Sequence, residues 1–298
     1  MIVEFTMEKD FCNRYRAIGA GISCGSPTVG SEKASGCIIQ RLKDLNYNFD
    51  YKFISTDNDK DVSVPSLIAK DNVANLVRRL YTEVSNCYDS GKIPFVIGGD
   101  HSLSIGSVAS SLMRYGDDVI VVWIDAHTDI NTANSSHSHF IHGMPNAVSM
   151  GFMDDGLSPI GCRRTLKPNN LAFLGARSID DGEIKILKDN RIFYINVADL
   201  LARGIDDVVR ELKLRSHAKY VHISFDVDGL DDRVFKATGY NIADGFSVQN
   251  VKEIITSLKK YFTLALFECV EYNPDLDKNK KDLDVVIDII LTALQTKE

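Results

Sequence analysis

Six short apolar runs, rich in β-branched residues, recur along this chain: Ile93–Ile97, Val119–Ile124, Leu171–Leu174, Ile192–Ile195, Tyr220–Phe225 and Leu264–Phe267. Stretches with helical spacing lie between them. A strand that is apolar on both sides has to be covered on both sides, so the alternation predicts an α/β fold with a parallel sheet between two helical layers. Ala69 to Ser90 is one such helix. It carries Val73, Leu76, Val77, Leu80, Val84 and Cys87 at helical intervals, and Gly91 is placed to end it. Val248 to Tyr261 and Asp282 to Leu294 read the same way. No repeat or Pro/Gly-rich linker interrupts the pattern, and residues 1–298 are expected to form a single domain.

Composition narrows the function. A net charge of −7, with Lys and Arg scattered, leaves no basic surplus for nucleic acid. The six cysteines contain no CxxC pair and are sparse for 298 residues, which suits reduced thiols in a cytosol. No segment approaches the roughly 18 to 20 apolar residues of a membrane span, and the opening MIVEFTMEKDF has acids where a signal peptide needs an apolar run. The expected location is the cytoplasm.

Three of the apolar runs end abruptly in ionisable residues: GGDHS at 98–102, DAHTDIN at 125–131 and DVDG at 226–229. In open parallel sheets ligands bind outside the carboxyl ends of the strands, so these endings converge if their strands are neighbours. If the extended geometry persists past Ile124, Asp125, His127 and Asp129 share one face, as do Asp226 and Asp228. Four crowded carboxylates repel one another unless cations neutralise them. Two divalent ions carry the matching charge. With His101 and His127 completing the set, the donors are oxygen-rich with added nitrogen, which favours Mn(II) over thiolate-seeking metals. Two ions about 3.5 to 4 Å apart lower the pKa of a shared water from about 15.7 toward neutrality. Taken singly, GGDH also reads as a turn and helix start, and DVDG as a turn or a calcium-like loop. Asp100 reads either as a group orienting the His101 imidazole or as a turn-stabilising residue. His217 and His222 read as structural and Trp123 as core, while 277–284 reads as a solvated loop leading into the last helix.

These motifs, together with HGMP at 142–145, resemble the ureohydrolase family, and its arginase branch more than its agmatinase branch. The likeness runs from GAGISCGSPTVGSEKAS near the start to VEYNP at 270–274. It implies a three-layer αβα fold with a mainly parallel sheet of about eight strands, two Mn(II) ions, a small guanidino substrate and self-association, often as a trimer. It also implies that His101, Asp125, Asp129 and Asp226 hold one ion, and that Asp125, His127, Asp226 and Asp228 hold the other. His142 matches the family's proton shuttle and Glu271 the acid that pairs with the guanidinium, so the catalytic set is His142, Glu271 and Asp129. Asn131 and Ser138, with Asp180 and Glu183 in GARSIDDGE, match the substrate-binding shell.

The match fails in that shell. Phe140 stands where arginases carry an amide that binds the arginine carboxylate, beside His139 in place of a glycine. Asp232 and Tyr240 depart from the Pro and the TGTP turn that follow DVDGLD. Gln249 and Asn250 replace the Arg and Glu of the usual trimer contact. The expected reaction is hydrolysis of L-arginine to ornithine and urea. Another guanidino or amidino substrate, or a non-catalytic binding or regulatory role, are the alternatives.

Overall fold

Every residue of β4 (Val119–Ile124) is buried, and its side chains divide by alternation. Ile120, Val122 and Ile124 join one core, whereas Val119, Val121 and Trp123 join another. Such a strand requires a helical layer on each face, and the computed structural model of this chain has both. It describes residues 11–55, 69–154 and 156–295. The expectation about a leader at residues 1–10 lies outside the described residues. The other strands are β1 (Tyr15–Gly21), β2 (Asp50–Ser55), β3 (Ile93–Ile97), β5 (Leu171–Leu174), β6 (Phe193–Ile195), β7 (Tyr220–Asp226) and β8 (Thr263–Val270). They form one eight-stranded sheet in the order β2-β1-β3-β8-β7-β4-β5-β6. Every neighbouring pair is parallel. The three-layer αβα fold and its eight strands are as expected.

One helical layer is anchored by Ile38 and Leu42, Val208 and Leu212, Ile254 and Leu258, and Ile287 and Ile290. The other rests on Val73, Val77 and Leu80 and on Val108, Leu112 and Leu187. Each fully buried side chain of this kind contributes about 1.5 to 3 kcal/mol. The helix Lys70–Asp89 buries the side chains that its spacing marked, Val73, Leu76, Val77, Leu80, Val84 and Cys87. Gly91 closes it at φ 76°, with Lys92 N donating to Cys87 O. Two strands were not expected. β1 reads YRAIGAG, whose small residues hide its apolar character although six of its seven residues are buried. β2 is an edge strand with a largely exposed pattern.

Within the sheet, β8 and β7 enclose a buried polar cluster. Glu268 accepts from Ser104 Oγ at 2.7 Å and Ser107 Oγ at 2.5 Å. His222 Nε2 lies 3.3 Å from Glu268 Oε1, while its Nδ1 meets Ser111 Oγ at 2.9 Å. Burial alone would raise the Glu268 carboxyl, but attraction to the His222 ring and the two serine hydroxyls hold it down to about 2. His222 is structural, as its sequence context suggested, and His217 ends the helix Ile205–Ser216 in a left-handed conformation. Replacing Glu268 by Ala strands His222, so Glu268→Ala is expected to cost about 3 kcal/mol at neutral pH in denaturant unfolding. Because the folded carboxyl is depressed, its contribution is complete above the unfolded value of about 4.3 and fades as pH falls toward 2. The gap between the two proteins should therefore narrow below about pH 4. A gap that is constant with pH would refute this account.

Candidate metal centre

Four strands that stand side by side, β3, β8, β7 and β4, deliver the ionisable residues at their carboxyl ends. After β3, Gly98 and Gly99 turn the chain at φ 92° and 80°. A Cβ on Gly99 would sit 2.8 Å from Ala20 O, so a side chain is excluded by both conformation and space. Asp100 then caps the short 3-10 turn His101–Leu103. It accepts from Ser102 N at 3.0 Å and from Gly25 N at 2.8 Å. Asp100 therefore stabilises the turn, and His101 is oriented by other residues. Ser224 Oγ, from β7, meets His101 Nε2 at 2.8 Å, and the Trp123 ring stacks on the imidazole at 4.1 Å and 8°. Trp123 is core, as expected, but it also sets the plane of a candidate ligand.

His101 Nδ1 faces three carboxylates, with Asp125 Oδ2 at 3.2 Å, Asp129 Oδ2 at 3.0 Å and Asp226 Oδ2 at 3.0 Å. His127 Nδ1 faces Asp228 Oδ2 at 3.1 Å and Asp125 Oδ1 at 3.4 Å. His101, Asp125 and Asp226 form one group able to hold a cation, and Asp125, His127 and Asp228 form another. The fit to a metal rests on two buried atoms, His101 Nδ1 and Asp125 Oδ2, that have no hydrogen-bond partner. Unpartnered donors and acceptors at full burial are rare, and here both point into the same cluster. Neighbouring donors on an ion held at about 2.1 Å stand about 3 Å apart, which is the spacing found.

The charges agree. Burial and the neighbouring aspartates push the Asp226 carboxyl well up, and the same causes bring Asp228 up to about 6. Asp129 is raised by burial and by Asp125. Burial opposes charge on both imidazoles, yet the carboxylates raise His101 and His127 well above their ordinary value. Asp125 moves the other way. Burial would lift it, but contact with His101 and His127 depresses it. Without cations this cluster recruits protons to neutralise itself.

Strand alternation is not what gathers these residues. β4 ends at Ile124, and Asp129 adopts φ 46° in the loop beyond. Asp228 lies in the turn Val227–Gly229 rather than in β7. Backbone donors grip the carboxylates instead: His127 N to Asp125 at 2.6 Å, Ala126 N to Asp228 at 3.1 Å and Asp228 N to Asp226 at 2.9 Å. Arg177 adds a brace that sequence reasoning missed. Its guanidinium donates to Asp228 O at 2.9 Å, Leu230 O at 3.2 Å and Ile242 O at 2.9 Å, fastening the loop after β7. Burial lowers its pKa, the expected direction for an enclosed cation.

Above the cluster is a cavity of about 290 Å³, lined by His127, Asp129, Asn131, Ser138, His142, Asp180, Glu183, Asp226, Asp228, Tyr240 and Glu271 among others. Among the described residues, no lysine or arginine lines it. Glu271 follows β8 at φ 63°. Its Oε1 accepts from His101 N at 2.9 Å and lies 3.1 Å from His142 Nδ1. Burial opposes a charge on His142, but Glu271 raises its pKa. Asn131 Nδ2 donates to Asp180 Oδ2 at 3.0 Å, and Ser138 Oγ accepts from Phe140 N at 3.4 Å. Glu183 accepts from Thr128 Oγ1 and Ile130 N, and closes a capping box with Asp180. Burial pushes its carboxyl up to about 7.

With this geometry in view, the comparisons with known proteins are decisive. The Arginase family profile matches residues 14–295. The chain belongs to the arginase family. It is 32% identical to the arginase of Bacillus subtilis over 263 residues, covering 87% of this chain and 88% of that one. It is 30% identical to rat Arginase-1 over 303 residues, covering 94% and 92% respectively. The crystal structure of Bacillus cereus arginase superposes with a TM-score of 0.84 at 26% identity, over 96% of this chain and 99% of that one. Membership makes this a metal-dependent amidino hydrolase. Gln249 and Asn250, which replace the expected trimer contact, are engaged within their own helix, Gln249 with Glu253 and Asn250 with Ser247.

Asp125 offers an oxygen to both groups, so its removal should disable both. Metal-stripped protein is expected to gain stability when a divalent cation is added, by about 2.7 kcal/mol at a hundred times the Kd. Asp125→Asn should lose most of that gain in thermal unfolding. An equal gain in the two proteins would place the ions elsewhere.

Proposed function

We propose that this enzyme hydrolyses L-arginine to L-ornithine and urea, with two Mn(II) ions per chain. The observation that carries the reading is a cavity walled by Asp129, Asp180, Glu183, Asp226, Asp228 and Glu271, with no lysine or arginine among the described residues that line it and with the two metal-competent groups beside the His142–Glu271 pair. Such a cavity selects a cationic substrate. The metal pair, when bound, supplies Lewis-acid stabilisation and a nucleophile from water at neutral pH. The residues of the chain do the rest. Glu271 shares its carboxylate with the planar guanidinium through paired hydrogen bonds. Water adds at the guanidino carbon Cζ, the Cζ–Nε bond breaks to leave urea and ornithine's side-chain amine, and the proton that the water gives up reaches the departing nitrogen through His142. Asp129 is required as a ligand. Asn131 and Ser138 receive the α-carboxylate, and Asp180, with Glu183 behind it, the α-amino group.

One observation favours a second reading. Phe140 stands where an amide would pair with the α-carboxylate, and an unpaired carboxylate costs about 1 to 3 kcal/mol of recognition. A guanidino compound lacking that group would not incur the loss. We further infer that residues 1–298 act as one domain, since all eight strands belong to one sheet. Self-association through surfaces other than Gln249 and Asn250 is part of the same reading. So is a cytoplasmic location, supported by free thiols at Cys37, Cys87, Cys162 and Cys269. No helix among the described residues is long and apolar enough to cross a membrane.

The test is urea release from L-arginine by metal-stripped protein reloaded with Mn(II), with Asp129→Ala as the control for contaminants. His142→Ala is expected to lower kcat about a hundredfold or more, with a smaller change in KM. Activity that survives Asp129→Ala would refute the reading. Turnover confined to other guanidino compounds would select the second one.

A further inference from the structure

Phe140 and Tyr240 are a hundred residues apart, and both depart from the family's sequence. They meet on one side chain. The Tyr240 ring stacks over the His142 imidazole with centroids 5.8 Å apart and planes inclined by 27°. Phe140 approaches the same imidazole edge-on, at 6.2 Å and 80°. Tyr240 also meets the His127 ring edge-on at 5.9 Å and 73°. Its own side chain remains 37% exposed, so it covers the imidazole from the solvent side of the cavity.

The hydrogen bond from His142 Nδ1 to Glu271 fixes one point of the imidazole, at 3.1 Å. A single bond leaves a ring free to swing about it. Contact on a face and at an edge removes that freedom, because aromatic pairs have preferred offsets and tilts. Glu271 as a carboxylate can only accept, so Nδ1 carries the hydrogen and Nε2 is the nitrogen left to exchange a proton with substrate. We propose that Tyr240, assisted by Phe140, is a positioning residue for His142. It holds the imidazole plane through which Nε2 delivers its proton. The role depends on stacking rather than on the phenol hydroxyl, and it is distinct from a wall that merely touches the substrate.

The inference rests on the proposed function only for its kinetic arm. In the Mn(II)-loaded enzyme, Tyr240→Ala is expected to lower kcat about tenfold while KM changes by less than about twofold. Tyr240→Phe, which keeps the ring, should restore kcat. In a His142→Ala background the Tyr240→Ala change should have no further effect on kcat, since the two act through one group. The second arm needs no turnover. Diethyl pyrocarbonate labelling of His142, followed by peptide mass spectrometry with the exposed His217 as internal reference, should rise several-fold in Tyr240→Ala and not in Tyr240→Phe. Unchanged labelling of His142 in Tyr240→Ala would overturn the proposal, as would an effect carried by KM alone. If the wild type released no urea from arginine, the substrate reading would fall, and the labelling result would still decide the role of Tyr240.

Discussion

Four aspartates buried at the end of an apolar sheet repel one another, and everything around the site is organised to keep them there. In the low dielectric of the interior, like charges a few ångströms apart are expensive, and the carboxyls respond by holding protons. That response is visible in Asp226, Asp228 and Asp129, all raised, and in the two imidazoles, raised with them. Divalent ions held by these groups would resolve the conflict without protons. The apolar side chains of β4 and β7 supply the rigidity against which the repulsion acts, and the backbone donors of Ala126, His127 and Asp228 fix where each oxygen points. Arg177 fastens the loops through carbonyls alone. Its positive charge stays close enough to ease the repulsion and does not compete for the ligand oxygens.

Two residues of the site also carry backbone strain. Asp129 and Glu271 both adopt left-handed conformations, at φ 46° and 63°, which cost of the order of 1 to 3 kcal/mol each in a non-glycine residue. Each is over-determined by its neighbours. Glu271 N donates to Gly99 O at 2.9 Å, and its carboxylate is tied to His101 N. Asp129 O accepts from Asn146 N at 3.0 Å, and Asn146 Nδ2 reaches back to Thr128 O at 3.0 Å. The sheet core stabilises the fold by far more than this local cost, so the strain can be kept where it aims a carboxylate.

The layered fold and the six candidate ligands were legible in the sequence for a physical reason: a strand buried on both faces has to be apolar throughout, and ionisable residues that follow it immediately have nowhere to go but the strand's end. β1 was not legible, because Gly19, Ala20 and Gly21 carry little hydrophobic signal, and their smallness serves contact instead. A Cβ on Gly19 would lie 2.4 Å from the Tyr51 hydroxyl. The geometry that collects the ligands was also hidden. Alternation along an extended chain is not how these residues come together, since the turn at Val227–Gly229 and the left-handed Asp129 do the gathering. Trp123 read simply as core, and nothing in its neighbours announced that it would stack on an imidazole that lies 22 residues earlier in the chain.

The metal-competent cluster and the cavity wall above it are constrained to different degrees. A group able to hold a cation is constrained by charge, donor type and position at once, and His101 Nδ1 shows how little slack remains, with three carboxylate oxygens between 3.0 and 3.2 Å away. The residues above the cluster answer to fewer demands. Phe140 and Tyr240 bring no charge, and both rings find their contact on His142. Substitution there changes what the imidazole rests against while its bond to Glu271 is kept. The aromatic residues of the cavity wall can therefore differ while the charge balance of the cluster beneath them stays the same.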